Sequence, residues 1–222
     1  MCIRDRRHGT SARVIGQWSG GLNNGGEPLR LQIQGDGGAI IQEFTYDDSV
    51  PWPECADGDG NSLTLVAPAT APNHGDPFSW RCSVQVGGSP GASDAIPFVG
   101  EASEDLDDDQ IEALIEYALG SSDNDPNSGN DRHQFSITEV TEGVDAGIYP
   151  SLTYTRNLAA DDAVVKVQHS VDLQTWQNVL DGAVILDSET PNGDGTSTVI
   201  WRSSTPINAA TRQFLRLSAE LR

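Results

Sequence analysis

Apolar side chains recur at every second position over short stretches of this chain, and Gly, Pro, Asn and Asp interrupt them. Leu29, Leu31 and Ile33 alternate with Arg30 and Gln32, and the same period resumes at Ile40, Phe44 and Tyr46 after the turn Gln34-Gly35-Asp36-Gly37-Gly38. A period of two puts one set of side chains on one face of a pleated strand, so these stretches predict a β-hairpin with one face inward. Leu63 with Leu65, and Val84 with Val86 after Trp80, predict two further strands. Pro51, Pro53, Pro68, Pro72 and Pro77 lack the N–H that a central ladder needs and belong in loops.

The period changes once. Ile111, Leu114, Ile115, Ala118 and Leu119 fall at helical spacing, with Asp107 or Asp108 as N-terminal cap and Gly120 as the stop. Past Arg132 the two-residue pattern returns at Phe135 and Ile137, Leu152 and Tyr154, Val165 and Val167, Val184 to Leu186, Val199 and Trp201, and Phe214 to Leu217. Six short apolar segments separated by turn residues predict an antiparallel β-sandwich, in which Trp176 and Trp201 are expected as core or sheet-packing aromatics. The predicted class is all-β: two β units joined by one short helix. At 222 residues the chain has room for two sandwiches of about 100 residues each. The expected divisions are a set-aside start at 1–10, a first β unit at 11–92, an acidic linker with the helix at 93–131, and a C-terminal β-sandwich at 132–222.

Charge narrows the partners. The formal net charge is −20, and Lys166 is the only lysine among 13 basic residues. Such a surface repels phosphate backbones and anionic membranes, which argues against nucleic acid as a partner. No apolar run approaches the roughly 20 residues needed to span a bilayer, so membrane insertion is not expected. With Cys2 set aside, Cys55 and Cys82 either pair in an oxidising compartment or stay as two buried thiols. Neither has a partner at zinc-ligand spacing.

Several segments carry a resemblance. They are Gly16-Gln17-Trp18-Ser19-Gly20-Gly21-Leu22-Asn23-Asn24-Gly25-Gly26-Glu27, then Tyr46-Asp47-Asp48-Ser49-Val50-Pro51-Trp52-Pro53, then Asp57 to Leu65, and Gly87-Gly88-Ser89-Pro90-Gly91. Together they resemble the lamin tail domain of large secreted bacterial proteins from about Val14 to Ala92. The resemblance implies an immunoglobulin-like sandwich whose opening strands would lie upstream of this chain, hence a truncated domain and a fragment of a longer protein. The stretch Glu116-Tyr117-Ala118-Leu119-Gly120 resembles the connector that precedes the terminal β-domain of such proteins. Leu152 to Arg156, His169 to Trp176 and Phe214 to Leu217 resemble that β-domain itself. Met1-Cys2-Ile3-Arg4-Asp5-Arg6 resembles a translated sequencing adapter and is excluded from fold reasoning.

One pattern points to a metal. With Asp105 as position one, Asp107, Asp109 and Glu116 fall at positions three, five and twelve of an EF-hand calcium loop. Gln110 stands where that loop wants glycine, and Glu112 where an apolar residue would follow. The residues therefore admit two readings, a calcium site or a solvated acidic helix start. The stretch from Asp123 to Asp131 either adds oxygen ligands or forms a polar loop. No cofactor other than calcium is indicated.

Catalytic patterns fail on chemistry. Gly87-Gly88-Ser89-Pro90-Gly91 has the spacing of a nucleophile elbow, but Pro90 has no N–H for an oxyanion. His8, His74, His133 and His169 are scattered along the chain. The expected function is a non-catalytic structural or adhesive module of a secreted or cell-surface bacterial protein, with a protein or carbohydrate partner. The alternative is an accessory, carbohydrate-binding region of an extracellular enzyme whose catalytic domain lies upstream.

Overall fold

The computed structural model describes residues 20–222 apart from 36, 59, 130, 131 and 211. The adapter-like residues 1–10, His8, the first residues of the Gly16–Glu27 motif, Asp36, Asp59, Asn130 and Asp131 lie outside the described residues. The fold is all-β, with antiparallel sheets and one short helix among the described residues. The chain divides into two compact units, 1–94 and 95–222.

In the first unit, strands β1 (Glu27–Gln32) and β2 (Ile40–Tyr46) form the expected hairpin, with Leu29 opposite Phe44 and a register shift at Leu31/Gln32, but its inward face is shorter than expected: Leu29, Phe44 and Tyr46 are half-buried, whereas Leu31, Ile33 and Ile40 are exposed. Strands β3 (Leu63–Leu65) and β4 (Trp80–Cys82) make a second antiparallel pair, with Leu63 opposite Cys82. The second strand of that pair corrects the expectation at Val84 and Val86. Val84 and Val86 fall in the turn after β4, because the N–H of Val84 is bound by the Asp94 carboxylate and not by a strand. Phe44 stacks on Trp80 at 5.4 Å, and Trp52 and His74 pack around the same indole, joining hairpin and pair through one aromatic cluster. Cys55 and Cys82 are bonded to each other and wholly buried, which resolves the choice left open by the sequence.

The same unit holds a buried charge that alternation gives no reason to expect. The Arg81 guanidinium donates to Asp94 at 2.6 Å and to the Cys82 carbonyl at 3.0 Å, and the two charged side chains are 2% and 9% exposed. The other Asp94 oxygen accepts from the Val84 N–H at 3.0 Å. Burial pushes the Asp94 carboxyl up, but Arg81 and the Val84 N–H outweigh it and hold it below the usual carboxylate range.

The second unit contains all six strands expected past Arg132. These are β5 (His133–Val140), β6 (Gly147–Asn157), β7 (Ala163–Ser170), β8 (Val184–Pro191), β9 (Thr196–Ser203) and β10 (Phe214–Leu221). One sheet runs β5-β6-β9-β8, and β7 pairs with β10 in another. Leu152, Tyr154, Val184, Val199 and Trp201 from the first sheet share one core with Val167 and Leu215 from the second. Trp201 is therefore a core residue. Trp176 is not: it is half-buried, with the Arg216 guanidinium 4.1 Å from its ring centroid.

Helix α1 (Ala113–Leu119) belongs to this unit, as do residues 95–129, most of the stretch 93–131 expected as a linker. The apolar stripe of α1 explains its docking. Leu119 enters the shared core, while Leu114 and Ala118 pack with Ala163. Burying a leucine side chain fully contributes about 1.5–3 kcal/mol. Gly120 ends the helix in the left-handed conformation at φ +77, which turns its N–H back to the Glu116 carbonyl at 2.7 Å. The start differs from expectation, since Glu112 occupies the N-cap position and its side chain makes no capping bond. Asp107 and Asp108 lie further back, in a loop whose turns consume their neighbours' N–H groups.

Candidate metal centre

That loop is shaped by its own carboxylates. Asp105 accepts from the N–H groups of Asp109 at 3.2 Å and Gln110 at 3.0 Å, and Asp109 accepts from Ile111 at 2.8 Å. Asp107 also accepts from the Asp109 N–H, at 3.2 Å. Such bonds mimic backbone turns and favour local left-handed geometry, which appears at Asp108 (φ +61) and Gln110 (φ +74). The outcome is alternation: Asp105, Asp107, Asp109 and Ile111 are half-buried, while Leu106, Asp108, Gln110 and Glu112 face solvent.

The three inward aspartates each bring one oxygen within 4.8 Å of the others. Calcium sits about 2.3–2.6 Å from its oxygens, so ligands on opposite sides of one ion are about 4.6–5.2 Å apart. The spacing fits. Glu116 does not join that 4.8 Å group, but it stands behind it on α1 and is 1% exposed. A Cβ placed on Gly129 would lie 3.6 Å from both Asp109 Oδ2 and Glu116 Oε1, so these two oxygens flank one point.

Both Glu116 oxygens, Asp107 Oδ2 and Asp109 Oδ2 are buried with no hydrogen-bond partner among the described residues. Burial, then the charges of Asp107, Asp109 and Asp123, push the Glu116 carboxyl up, and the nearby Ser121 hydroxyl pulls the other way without reaching hydrogen-bond geometry. Asp107 is likewise raised, by burial first and then by Asp109, Asp105 and Asp123, against the bond from the Asp109 N–H. A buried carboxylate without a partner costs several kcal/mol unless a counter-charge is close. Hard oxygen donors of this kind suit calcium or magnesium rather than zinc or copper.

Gln110 sits at the sixth position, where an EF-hand uses glycine for its sharp turn, and it adopts the left-handed backbone that glycine would. A non-glycine residue there carries a cost of about 1–3 kcal/mol, partly offset by the extra chain entropy glycine brings to the unfolded state. Gln110→Gly is expected to raise the melting temperature of the second unit by about 2–4 °C in a thermal scan. A lower melting temperature would show that the loop does not hold that turn.

Among the described residues the other sequence candidates do not assemble. Gly87 to Gly91 lies in turns with no helix after it, so Ser89 is not on a strand-to-helix elbow. His74 packs on Trp80, His133 lies on β5, and His169 is buried on β7 with its Nε2 3.1 Å from Gln213 Oε1. Among the described residues no helix is long and apolar enough to cross a membrane. No family model, characterised protein or solved structure matches the chain.

Proposed function

We propose that this chain is a non-catalytic structural or adhesive module of a secreted or cell-surface bacterial protein, fastened by calcium held at Asp105, Asp107, Asp109 and Glu116. The observation that carries the reading is the Glu116 carboxylate, buried beside three convergent aspartates with neither oxygen bonded. The buried Cys55–Cys82 bridge suits an oxidising compartment and supports the extracellular placement. The resemblance of Val14 to Ala92 to lamin tail domains supports a scaffolding role. In this reading the carboxylates bind and position, and their burial keeps competing water from the ion.

Because Glu116 shares α1 with Leu114, Ala118 and Leu119, an ion bound there couples to the packing of the β-sandwich. Calcium at one hundred times its dissociation constant stabilises the folded state by about 2.7 kcal/mol. In a unit of this size that corresponds to a rise in melting temperature of about 5–10 °C between EDTA and calcium chloride. Asp105→Ala is expected to abolish the rise. If the unmutated chain melts at the same temperature in both, the calcium reading is wrong.

A further inference from the structure

We infer that Asp123 completes the cation site from a second loop, and that Gly129 is glycine because a side chain there would press on Ile111 and stand beside an ion held between Asp109 and Glu116. The inference rests on the calcium reading above and deepens it. Leu106, between Asp105 and Asp107, donates its N–H to Asp123 Oδ1 at 3.0 Å, which ties the 121–129 loop to the aspartate loop at the site itself. The 121–129 loop is closed at its base, where the Ser122 N–H donates to Ser128 Oγ at 2.8 Å and that hydroxyl donates back to the Ser122 carbonyl at 3.2 Å. Gly129 is buried at the other end, and its added Cβ would meet Ile111 Cδ1 at 2.9 Å while lying 3.6 Å from Asp109 Oδ2 and Glu116 Oε1.

The donor count selects the ion. The Asp105, Asp107 and Asp109 oxygens lie together, and Asp123 and Glu116 stand outside that 4.8 Å group; if an ion draws in one oxygen of Asp123 and both of Glu116, the donors number six, which meets the roughly 6–8 oxygens calcium takes. Magnesium keeps several waters and is seldom held by an all-protein cage of carboxylates. The two loops thus form one calcium-selective site.

The test is calorimetric titration of calcium chloride, and separately magnesium chloride, into the wild-type chain and into Asp123→Asn, Gly129→Ala and Asp125→Asn. Asp123→Asn and Gly129→Ala are each expected to weaken calcium at least tenfold. Asp125→Asn, whose carboxylate binds only the neighbouring Asn127 among the bonds described, is expected to stay within twofold. Magnesium is expected to bind wild type at least tenfold more weakly than calcium. Wild-type affinity in both Asp123→Asn and Gly129→Ala, or equal affinity for the two ions, overturns this inference and leaves the calcium reading in place. Absence of calcium binding to wild type overturns both. Asp123→Asn preserves shape and so decides the matter if Gly129→Ala fails to fold.

Discussion

Asp94→Ala is expected to destabilise the first unit by about 3–5 kcal/mol, measured by denaturant unfolding with tryptophan fluorescence from the Trp52 and Trp80 cluster as the signal. The magnitude follows from burial. An exposed pair such as Arg30 with Glu43 contributes below about 1 kcal/mol, because water screens it and both side chains lose freedom. Arg81 is 2% exposed, and removing Asp94 strips its guanidinium of that carboxylate without returning it to water. The double variant Arg81→Met with Asp94→Leu is expected to recover most of the loss, since an apolar pair of similar volume carries no desolvation cost. A loss below about 0.5 kcal/mol in Asp94→Ala would contradict the account. The pH dependence has a definite sign. The folded Asp94 carboxyl lies below its unfolded value, so its contribution is complete above the unfolded value of about 3.9 and is lost as pH falls through the lower folded one.

Glu116→Gln is expected to stabilise the chain without calcium and to lose that advantage with it. In EDTA, burial and neighbouring negative charge raise the pKa of the folded Glu116 carboxyl. A raised carboxyl pKa means the ionised form is disfavoured on folding, and lowering the pH through it relieves the penalty. Glutamine removes that charge at nearly constant shape. The variant is therefore expected to be more stable than wild type in EDTA by about 1–3 kcal/mol, the cost of a buried polar group left unsatisfied. In calcium at one hundred times its dissociation constant, wild type gains about 2.7 kcal/mol and the variant gains nothing, so the variant loses that advantage. Paired denaturant titrations give both differences. A variant weaker than wild type in EDTA, or one that still responds to calcium, would contradict the role given to Glu116.

How far these features were legible in the residues differs from place to place. Alternation revealed β1, β2, β3 and the six later strands, because a half-buried strand writes its period into its side chains. It misplaced the partner of β3, since Arg81 and Cys82 in β4 are buried on successive positions and leave no alternation to read. Nothing in the sequence marks Arg81 as buried, because its counter-ion is thirteen positions away, a distance only the fold can close. The aspartate spacing pointed to Asp105, Asp107, Asp109 and Glu116, of which the fold gathers the three aspartates within 4.8 Å, whereas Gln110 argued against the loop. The structure shows why that objection weakens: Gln110 takes the backbone conformation glycine would have taken. Gly129 carried no signal, because the need for an absent side chain arises only where Asp109 and Glu116 meet. Trp176 and Trp201 look alike in sequence, and only the sheets decide that one enters the core and the other lies under Arg216.

On the proposed reading, Glu116 and the three half-buried aspartates before α1 hold one ion. The direct measurement is the calcium content of the chain and of Glu116→Gln after equilibrium dialysis against calcium, counted by atomic absorption. The account predicts one ion per wild-type chain and none in the variant. Equal calcium in the two proteins, or none in either, would contradict it.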